Sequence, residues 1–491
     1  MKILFTHSYF LRFDPKQWAT GQPYPPIGTL YAAALMQQKG HAVSFFDTMF
    51  AYGPEEIIPP LEKNDPGILV IYDDGFNYLT KMCLTNMREA AFEMIKFAKQ
   101  KGCVVIVSSS DSTDQYEQYL QEGADFILLG EAEQTLTELV AAIEQGSTNF
   151  LSIAGLAYKQ YDPSGIAIVK TVRRNVLKEL DSLPFPAWDL VNIDAYRKMW
   201  LKHAGYFSLN MATTRGCPFK CNWCAKPIYG NRYNSRSPQN VVTELKMLKQ
   251  KFNFDHIWFC DDIFGLKPGW VNEFADLIEK EGLHFKFKIQ VRADLLLQED
   301  YIKALARAGC ENAWMGAESG SQKILDAMDK GTTVEQIYTS TQLLKKNGIH
   351  PSFFIQFGYP GETKEDILKT INMINELLPH EIGISVSYPL PGTAFYERVK
   401  NELKEKSNWT DSDELALMFR NNYAPAFYKQ LHRYVHQTYR RHVAIETIKN
   451  LLLRPASISF YKLKKAISFI YYTPAAWYSR QKLKALELSI A

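Results

Sequence analysis

The first 150 residues alternate short apolar runs with stretches of helical spacing. Lys2–Thr6, Ala42–Phe46, Gly67–Tyr72, Cys103–Val107 and Ala124–Leu129 are each five or six residues long and largely apolar, as expected for buried strands. Between them, Pro26–Lys39, Met87–Lys101, Gln115–Glu122 and Glu133–Gln145 read as helices, with Gly40 and Gly102 as stop signals. Strands without a polar face, each followed by a helix, predict a parallel sheet covered on both sides. Right-handed crossovers make this a doubly wound, flavodoxin-like domain. Ligands bind such sheets beyond the carboxyl ends of the strands. Here those ends are the loops Ser8–Pro25, Asp73–Leu79, Ser108–Asp111 and Gly130–Glu133.

Residues 151–200 read as a connector, with a small hairpin at Pro163-Ser-Gly165 and a stiff extended linker at Leu183-Pro-Phe-Pro186. From 201 to 425 the strand–helix alternation resumes. Strands are expected at Tyr206–Thr213, His256–Cys260, Phe285–Val291, Asn312–Met315, Ser352–Phe357 and Ile382–Val386. Helices are expected at Val241–Lys251, Pro268–Glu281, Gln298–Ala308, Ser321–Met328, Val334–Asn347 and Lys364–Leu378. Six such units in series imply an open (βα)6 partial TIM-type barrel, with its functional residues just after the strands. Residues 426–491 are helical and basic, with Arg440-Arg441, Lys462 and Lys464-Lys465 among Tyr, Phe and Trp, and with Pro455 and Pro474 dividing the segment. The segment reads either as a solvated cap over the barrel or as a surface for a peripheral membrane or an acidic partner.

Apolar residues at 46% and charged residues at 22% give the balance of a globular protein, and a net charge of +3 carries no nucleic-acid signature. The N-terminal run lacks the length and cleavage site of a signal peptide, and no stretch reaches the roughly 18 apolar residues of a membrane span, so a cytoplasmic location is expected. Seven unevenly spaced cysteines do not make a disulfide framework, and thiols in a reducing compartment point to metal or catalysis. Three of them fall in one loop, Thr213-Thr-Arg-Gly-Cys217-Pro-Phe-Lys-Cys221-Asn-Trp-Cys224. Three thiolates can hold three irons of a cubane and leave the fourth iron open to an amine and a carboxylate. The competing reading is structural zinc, which prefers four protein ligands. No second C-x2-C or H-x3-H lies nearby, which leaves His203, upstream of a predicted strand, as a conceivable fourth. Cys83, Cys103, Cys260 and Cys310 read as packed residues, so a second cluster is not expected.

The C-x3-C-x-aromatic-C pattern, with Trp223 as the aromatic residue, resembles the signature of the radical S-adenosylmethionine superfamily. Gly230–Val242, Phe259-Cys-Asp-Asp-Ile-Phe264, Gln290-Val-Arg-Ala-Asp294, Gly316-Ala-Glu-Ser-Gly320 and Gln356-Phe-Gly-Tyr-Pro-Gly361 follow in the order that family shows. The resemblance implies a [4Fe–4S] cluster on Cys217, Cys221 and Cys224 that cleaves S-adenosylmethionine to a 5′-deoxyadenosyl radical. It also implies that Trp223 lies near the adenine, Asp262 near the methionine ammonium group and Glu318 near the ribose, with Arg292 and Gln356 on the same face. In the N-terminal region, Pro25-Pro-Ile-Gly28-Thr-Leu-Tyr-Ala-Ala-Ala-Leu35, Gly40-His-Ala-Val43, Asp47, Glu122-Gly-Ala-Asp-Phe126 and Gly130-Glu-Ala-Glu133 resemble the cobalamin-binding class of that superfamily. That class includes the anaerobic magnesium-protoporphyrin monomethyl ester cyclases and the cobalamin-dependent radical methyltransferases. Two departures stand out: the chain has no D-x-H-x-x-G, and Ser108-Ser-Ser-Asp111 replaces a Gly-Gly-containing turn. Ser108, Ser109 and Gly130 are then the expected corrin contacts.

The expected activity is C-methylation of an unactivated carbon in a small-molecule intermediate. The expected electron donor is a protein such as flavodoxin or ferredoxin, and no nucleic-acid partner is expected. Oxidative cyclisation or rearrangement of the porphyrin ester cyclase type is the alternative within enzymes. A non-catalytic iron–sulfur or zinc module docking through the basic tail is the alternative outside them.

Overall fold

The computed structural model describes residues 1–77, 80, 82, 84–162, 165–226, 228–403, 408–454 and 459–488. In the N-terminal half, β1 (Lys2–Thr6), β2 (Ala42–Phe46), β3 (Ile68–Tyr72), β4 (Val104–Ser108) and β5 (Phe126–Leu128) pair in parallel in the order β2-β1-β3-β4-β5. Successive side chains divide between two cores, as the pleat requires. Ile3, Phe5, Ile68, Val70 and Ile106 pack with the helices Ile27–Gln38 and Glu133–Glu144. Leu4, Leu69, Ile71, Val105 and Val107 pack on the other face with the helix Thr85–Gln100. All five residues of β3 are buried, which is why this strand reads as an unbroken apolar run.

The sheet does not end at β5. β6 (Leu156–Asp162) and β7 (Gly165–Lys170) add to its edge as an antiparallel hairpin, so the sheet is seven-stranded and mixed. Residues 151–200 therefore do more than connect, and they also form the helix Ile193–Ala204. The expected hairpin tip at Pro163 and Ser164 lies outside the described residues, as do Cys83 and Pro455. The edge escapes an apolar-run reading because its outer strand is exposed, with Ile166 at 63%.

In the second half, β8 (Ser208–Met211) is followed by a two-stranded ladder of β9 (Thr214–Arg215) and β10 (Asn234–Ser235). Then come β11 (His256–Phe259), β12 (Lys286–Val291), β13 (Cys310–Glu318), β14 (His350–Phe357) and β15 (Glu381–Val386). Six strands form one parallel sheet in the order β15-β14-β13-β12-β11-β8, curled into an open half-barrel with β15 and β8 as its edges. The register explains the lining. Leu209, Ile257, Phe287, Ile289, Ala313, Met315 and Phe353 lie side by side in the core that the outer helices cover. The alternate positions include Asn210, Lys288, Gln290 and Gln356 together with Trp258, Trp314 and Phe354, so the opposite face mixes polar and aromatic side chains. The covering helices begin on strong caps. Ser237 caps Pro238–Phe252, and Thr333 and Thr363 form reciprocal capping boxes at Val334–Lys346 and Lys364–Leu377.

Two long helices, Pro425–Leu453 and Phe460–Leu488, close the chain. They run antiparallel: Gln430 Nε2 donates to the Ser479 carbonyl at 3.2 Å, and Arg440 Nη1 donates to the Tyr472 hydroxyl at 2.9 Å. The first helix is fixed to the barrel by Tyr439, whose hydroxyl reaches the carbonyls of Pro379 and His380 at 2.7 Å each. Pro474 does not divide the segment but lies within the second helix. It faces solvent, where the carbonyl freed by its missing N–H can be hydrated, and Thr473 Oγ1 donates to the neighbouring Phe469 carbonyl at 2.8 Å. Among the described residues no helix is long and apolar enough to cross a membrane.

Candidate functional site

The cysteine loop leaves β9 and is pinned at four places. Buried Asp261, just after β11, accepts from the backbone N–H groups of Thr213 at 2.7 Å and Thr214 at 2.9 Å, and from the Thr213 hydroxyl. Burial pushes its carboxyl up to about 7, against the pull of those three bonds. Gly216 turns the chain at φ +79°, where a Cβ would lie 2.4 Å from the Arg232 carbonyl oxygen. Phe219 lies beneath the Arg292 guanidinium at 3.6 Å. Asn222 makes five bonds: its N–H to the Met328 carbonyl at 3.1 Å, its amide to the Ala327 carbonyl and Asp329 at 2.8 Å each, its side-chain oxygen from Tyr359 at 2.8 Å, and its carbonyl from the Phe395 N–H at 2.9 Å.

Cys217, Cys221 and Cys224 are half-buried, and none of the described cysteines forms a disulfide. Burial raises the pKa of Cys217 and pushes that of Cys224 up to about 12; Lys226 opposes both shifts and Asp262 adds to them. The charge of Asp262 therefore acts on two of the thiols. Among the described residues no three His, Cys, Asp or Glu side chains are closed into a metal-holding group. The loop instead offers three soft thiols that a metal would deprotonate on binding. His203 is not a fourth ligand, because its ring lies against Gly21, where a Cβ would come within 2.3 Å of its Cγ.

Trp223, Arg292 and Glu318 come together around a residue that the sequence pattern does not mark, Lys330. Glu318 adopts φ +56°, is buried, and accepts from Lys330 Nζ at 2.8 Å. Burial disfavours the ammonium most, but the Glu318 charge, the Cys221 sulfur and the hydrogen bond to Glu318 together outweigh it, and the Lys330 pKa is raised. Gly316 makes room for the pair, since a Cβ there would lie 2.4 Å from Lys330 Nζ and 2.7 Å from Glu318 Oε1. Lys330 Nζ also stands 6.0 Å from the centre of the Trp223 ring. Arg292 Nη1 donates to the Lys330 carbonyl at 3.0 Å, Nη2 to the Gly331 carbonyl at 3.3 Å, and Nε to Asp294 at 3.0 Å. Arg292 thus braces both the cysteine loop and the turn that carries Lys330. Gln356, one strand further, donates to Ser387 Oγ at 3.1 Å.

Two buried polar atoms near this group, Trp223 Nε1 and Gln356 Oε1, have no hydrogen-bond partner among the described residues. Leaving such atoms unpaired costs about 1–3 kcal/mol each, so they mark the face where a polar ligand belongs. Free thiols, a braced acid–base pair and orphaned polar atoms fit a cluster with a bound amino-acid nucleoside.

At the carboxyl edge of the N-terminal sheet, Ser108 ends β4 and Ser109 caps the short helix Ser110–Asp114 through reciprocal 2.8 Å bonds with Ser112. Gly130, after β5, has φ +75° and donates to Thr113 Oγ1 at 3.3 Å. These small residues stand on adjacent strands and suit close backbone approach by a nucleotide tail. The next residues cross to the barrel. Glu131 and Glu133 both accept from buried Arg215, Glu133 at 2.7 Å, and the guanidinium is ringed by Tyr31, Phe76 and Tyr229. Arg215 lies two residues before Cys217, so the sheet edge and the cysteine loop are directly joined.

Residues 211–374 match the family model for the Radical SAM superfamily. An uncharacterized methyltransferase of Pyrococcus horikoshii is 28% identical over 396 residues, 79% of this chain and 82% of its own length. The anaerobic magnesium-protoporphyrin IX monomethyl ester cyclase of Rubrivivax gelatinosus is 26% identical over 424 residues, 82% of this chain and 71% of its own. Among solved structures, the cobalamin-dependent S-adenosylmethionine radical enzyme OxsB with aqua-cobalamin bound superposes with a TM-score of 0.71 at 17% identity. That superposition covers 97% of this chain and 72% of OxsB, and shows that the two-domain fold is shared. The half-barrel that carries Cys217, Cys221 and Cys224 is a radical S-adenosylmethionine domain.

Proposed function

We propose that the chain methylates an unactivated carbon of a small biosynthetic intermediate, with a cobalamin held between its two domains. The observation that carries this reading is the junction at Arg215, where the ligand-binding edge of a flavodoxin-like sheet meets the cysteine loop. When bound, the cluster and S-adenosylmethionine supply a carbon radical at the substrate, and cobalamin supplies a methyl carrier.

The residues of the chain have separable tasks in this reading. Cys217, Cys221 and Cys224 hold three irons, and Asn222 and Asp261 fix the loop so that the thiols keep one geometry. Asp262 accepts from the methionine ammonium group. Trp223 stacks near the adenine, and its free N–H is available to a ligand acceptor. Glu318, oriented by Lys330, accepts from the ribose hydroxyls, while Arg292 braces the turn and Gln356 offers its unpaired oxygen. Ser108, Ser109 and Gly130 line the nucleotide tail of the corrin. An electron carrier such as flavodoxin or ferredoxin completes the system.

The likeness to the porphyrin ester cyclase supports oxidative cyclisation as a second reading. Anaerobic turnover with S-adenosylmethionine labelled in its methyl group separates the two, because label in the product is expected for methylation and none for cyclisation. Replacing Cys217, Cys221 and Cys224 by Ala is expected to abolish 5′-deoxyadenosine formation, and its persistence would overturn the radical assignment altogether.

A further inference from the structure

The helix Phe460–Leu488 is apolar on two opposite sides. One side, with Ala476, Ser479 and Leu483, is buried in the helical pair. The other carries Phe460, Leu463, Ile467, Ile470 with Tyr471, exposed Pro474, and Trp477 with Tyr478, at the i, i+3/i+4 spacing of a single stripe. At about 100° per residue these positions fall within an arc of about 120°, centred opposite the buried side. All are exposed: Phe460 at 85%, Ile467 at 63%, Ile470 at 73% and Trp477 at 63%. The stripe is about 27 Å long at 1.5 Å per residue. A continuous exposed apolar face of that length marks a surface that docks on something.

The charges around it narrow the choice. Between residues 449 and 488 the chain has eight Lys or Arg, namely Lys449, Arg454, Lys462, Lys464, Lys465, Arg480, Lys482 and Lys484, against Glu487 alone. On the same helical wheel Lys464 and Lys482 border one edge of the stripe and Lys484 the other. A second copy of this chain would bring like charges together, which opposes association. An anionic lipid surface satisfies both features. Tyr and Trp are the side chains that settle at the headgroup boundary, and flanking lysines meet its negative potential. We infer that the C-terminal helix lies flat on anionic membranes, with Phe460, Ile467, Ile470, Tyr471 and Trp477 entering the interface. This inference is independent of the reaction proposed above.

The test uses the full-length chain and sedimentation with vesicles of phosphatidylcholine alone or with phosphatidylserine. Binding is expected only to the mixed vesicles, falling as salt rises. Each flanking lysine is worth about fivefold in partitioning, so replacing Lys464, Lys482 and Lys484 by Gln together is expected to weaken binding on the order of 100-fold. Ile467→Ser with Ile470→Ser is expected to abolish retention while thermal unfolding stays at the wild-type temperature, because both side chains are already in water. Failure of the wild-type chain to bind mixed vesicles overturns the inference. So does binding that none of these variants weakens, or a wild-type dimer that the isoleucine variant turns into a monomer.

Discussion

Lys330→Met is the most direct probe of the group around Trp223. The substitution keeps an unbranched chain in place but removes the ammonium from Glu318, whose side chain is 6% exposed beside a Lys330 that is 9% exposed. Removing one partner of a buried ion pair leaves a carboxylate that neither water nor the protein stabilises, at a cost of about 3–5 kcal/mol. About 3–5 kcal/mol of destabilisation is therefore expected at neutral pH. Glu318→Gln in the Lys330→Met background removes the stranded charge and should recover more than half of the loss. Urea unfolding of the single and double variants measures the coupling, which is expected to exceed about 2 kcal/mol. A second readout is the affinity of the cluster-loaded chain for S-adenosylmethionine, which Lys330→Arg should largely preserve and Lys330→Met should reduce. If Lys330→Met unfolds at the wild-type urea concentration, or the double variant is no more stable than the single, the pair does not hold the Glu318 carboxylate and the reasoning fails.

Three further outcomes follow from other contacts. Arg215→Met removes the cation that Glu131 and Glu133 share in the domain junction, at about 3–5 kcal/mol, and should speed proteolytic cleavage in the partly exposed 171–179 stretch, where Leu177 donates to Glu131; unchanged cleavage would mean that the junction does not depend on this residue. Gly216→Ala forces a Cβ to within 2.4 Å of the Arg232 carbonyl at φ +79°, so iron bound after anaerobic reconstitution should fall while the far-ultraviolet circular dichroism stays unchanged. Burial and the Lys288 charge lower the His256 pKa to about 3. Below about pH 6.5 the unfolded imidazole takes up a proton that the folded one refuses, so this share of stability is present above that pH and lost below it. About 3 kcal/mol should disappear by pH 4, and His256→Asn should flatten that slope. His432 and His436, shifted the same way by burial, leave a residual one.

What the sequence discloses and what it conceals divide along a physical line. The β3 strand and the half-barrel strands are legible because their burial is imposed by the sheet, so the residues themselves carry the pattern. β6 and β7 pair at an exposed edge, and Pro474 turns outward in a continuous helix, so neither obeys a rule written for buried segments. The cysteine loop is legible for another reason, because three ligands for one cluster must be close in sequence when one loop supplies them.

Its supports obey no such constraint. Asn222 is bonded to Ala327 across 105 residues, and Arg215 to Glu131 across 84. Asp261 is one of two adjacent aspartates, and the structure separates their roles. Asp261 holds the backbone of the loop, whereas the charge of Asp262 acts on the thiols. Arg292 shows the same division within one side chain. Its bond to Asp294 is the local ion pair that its spacing predicts, yet it also clamps the carbonyls of Lys330 and Gly331 while lying over Phe219. Cysteine spacing therefore names the metal chemistry, but the arrangement of side chains beside it depends on the 327–331 turn. The isolated lysine of that turn becomes meaningful only once Gly316 is seen to leave room for it.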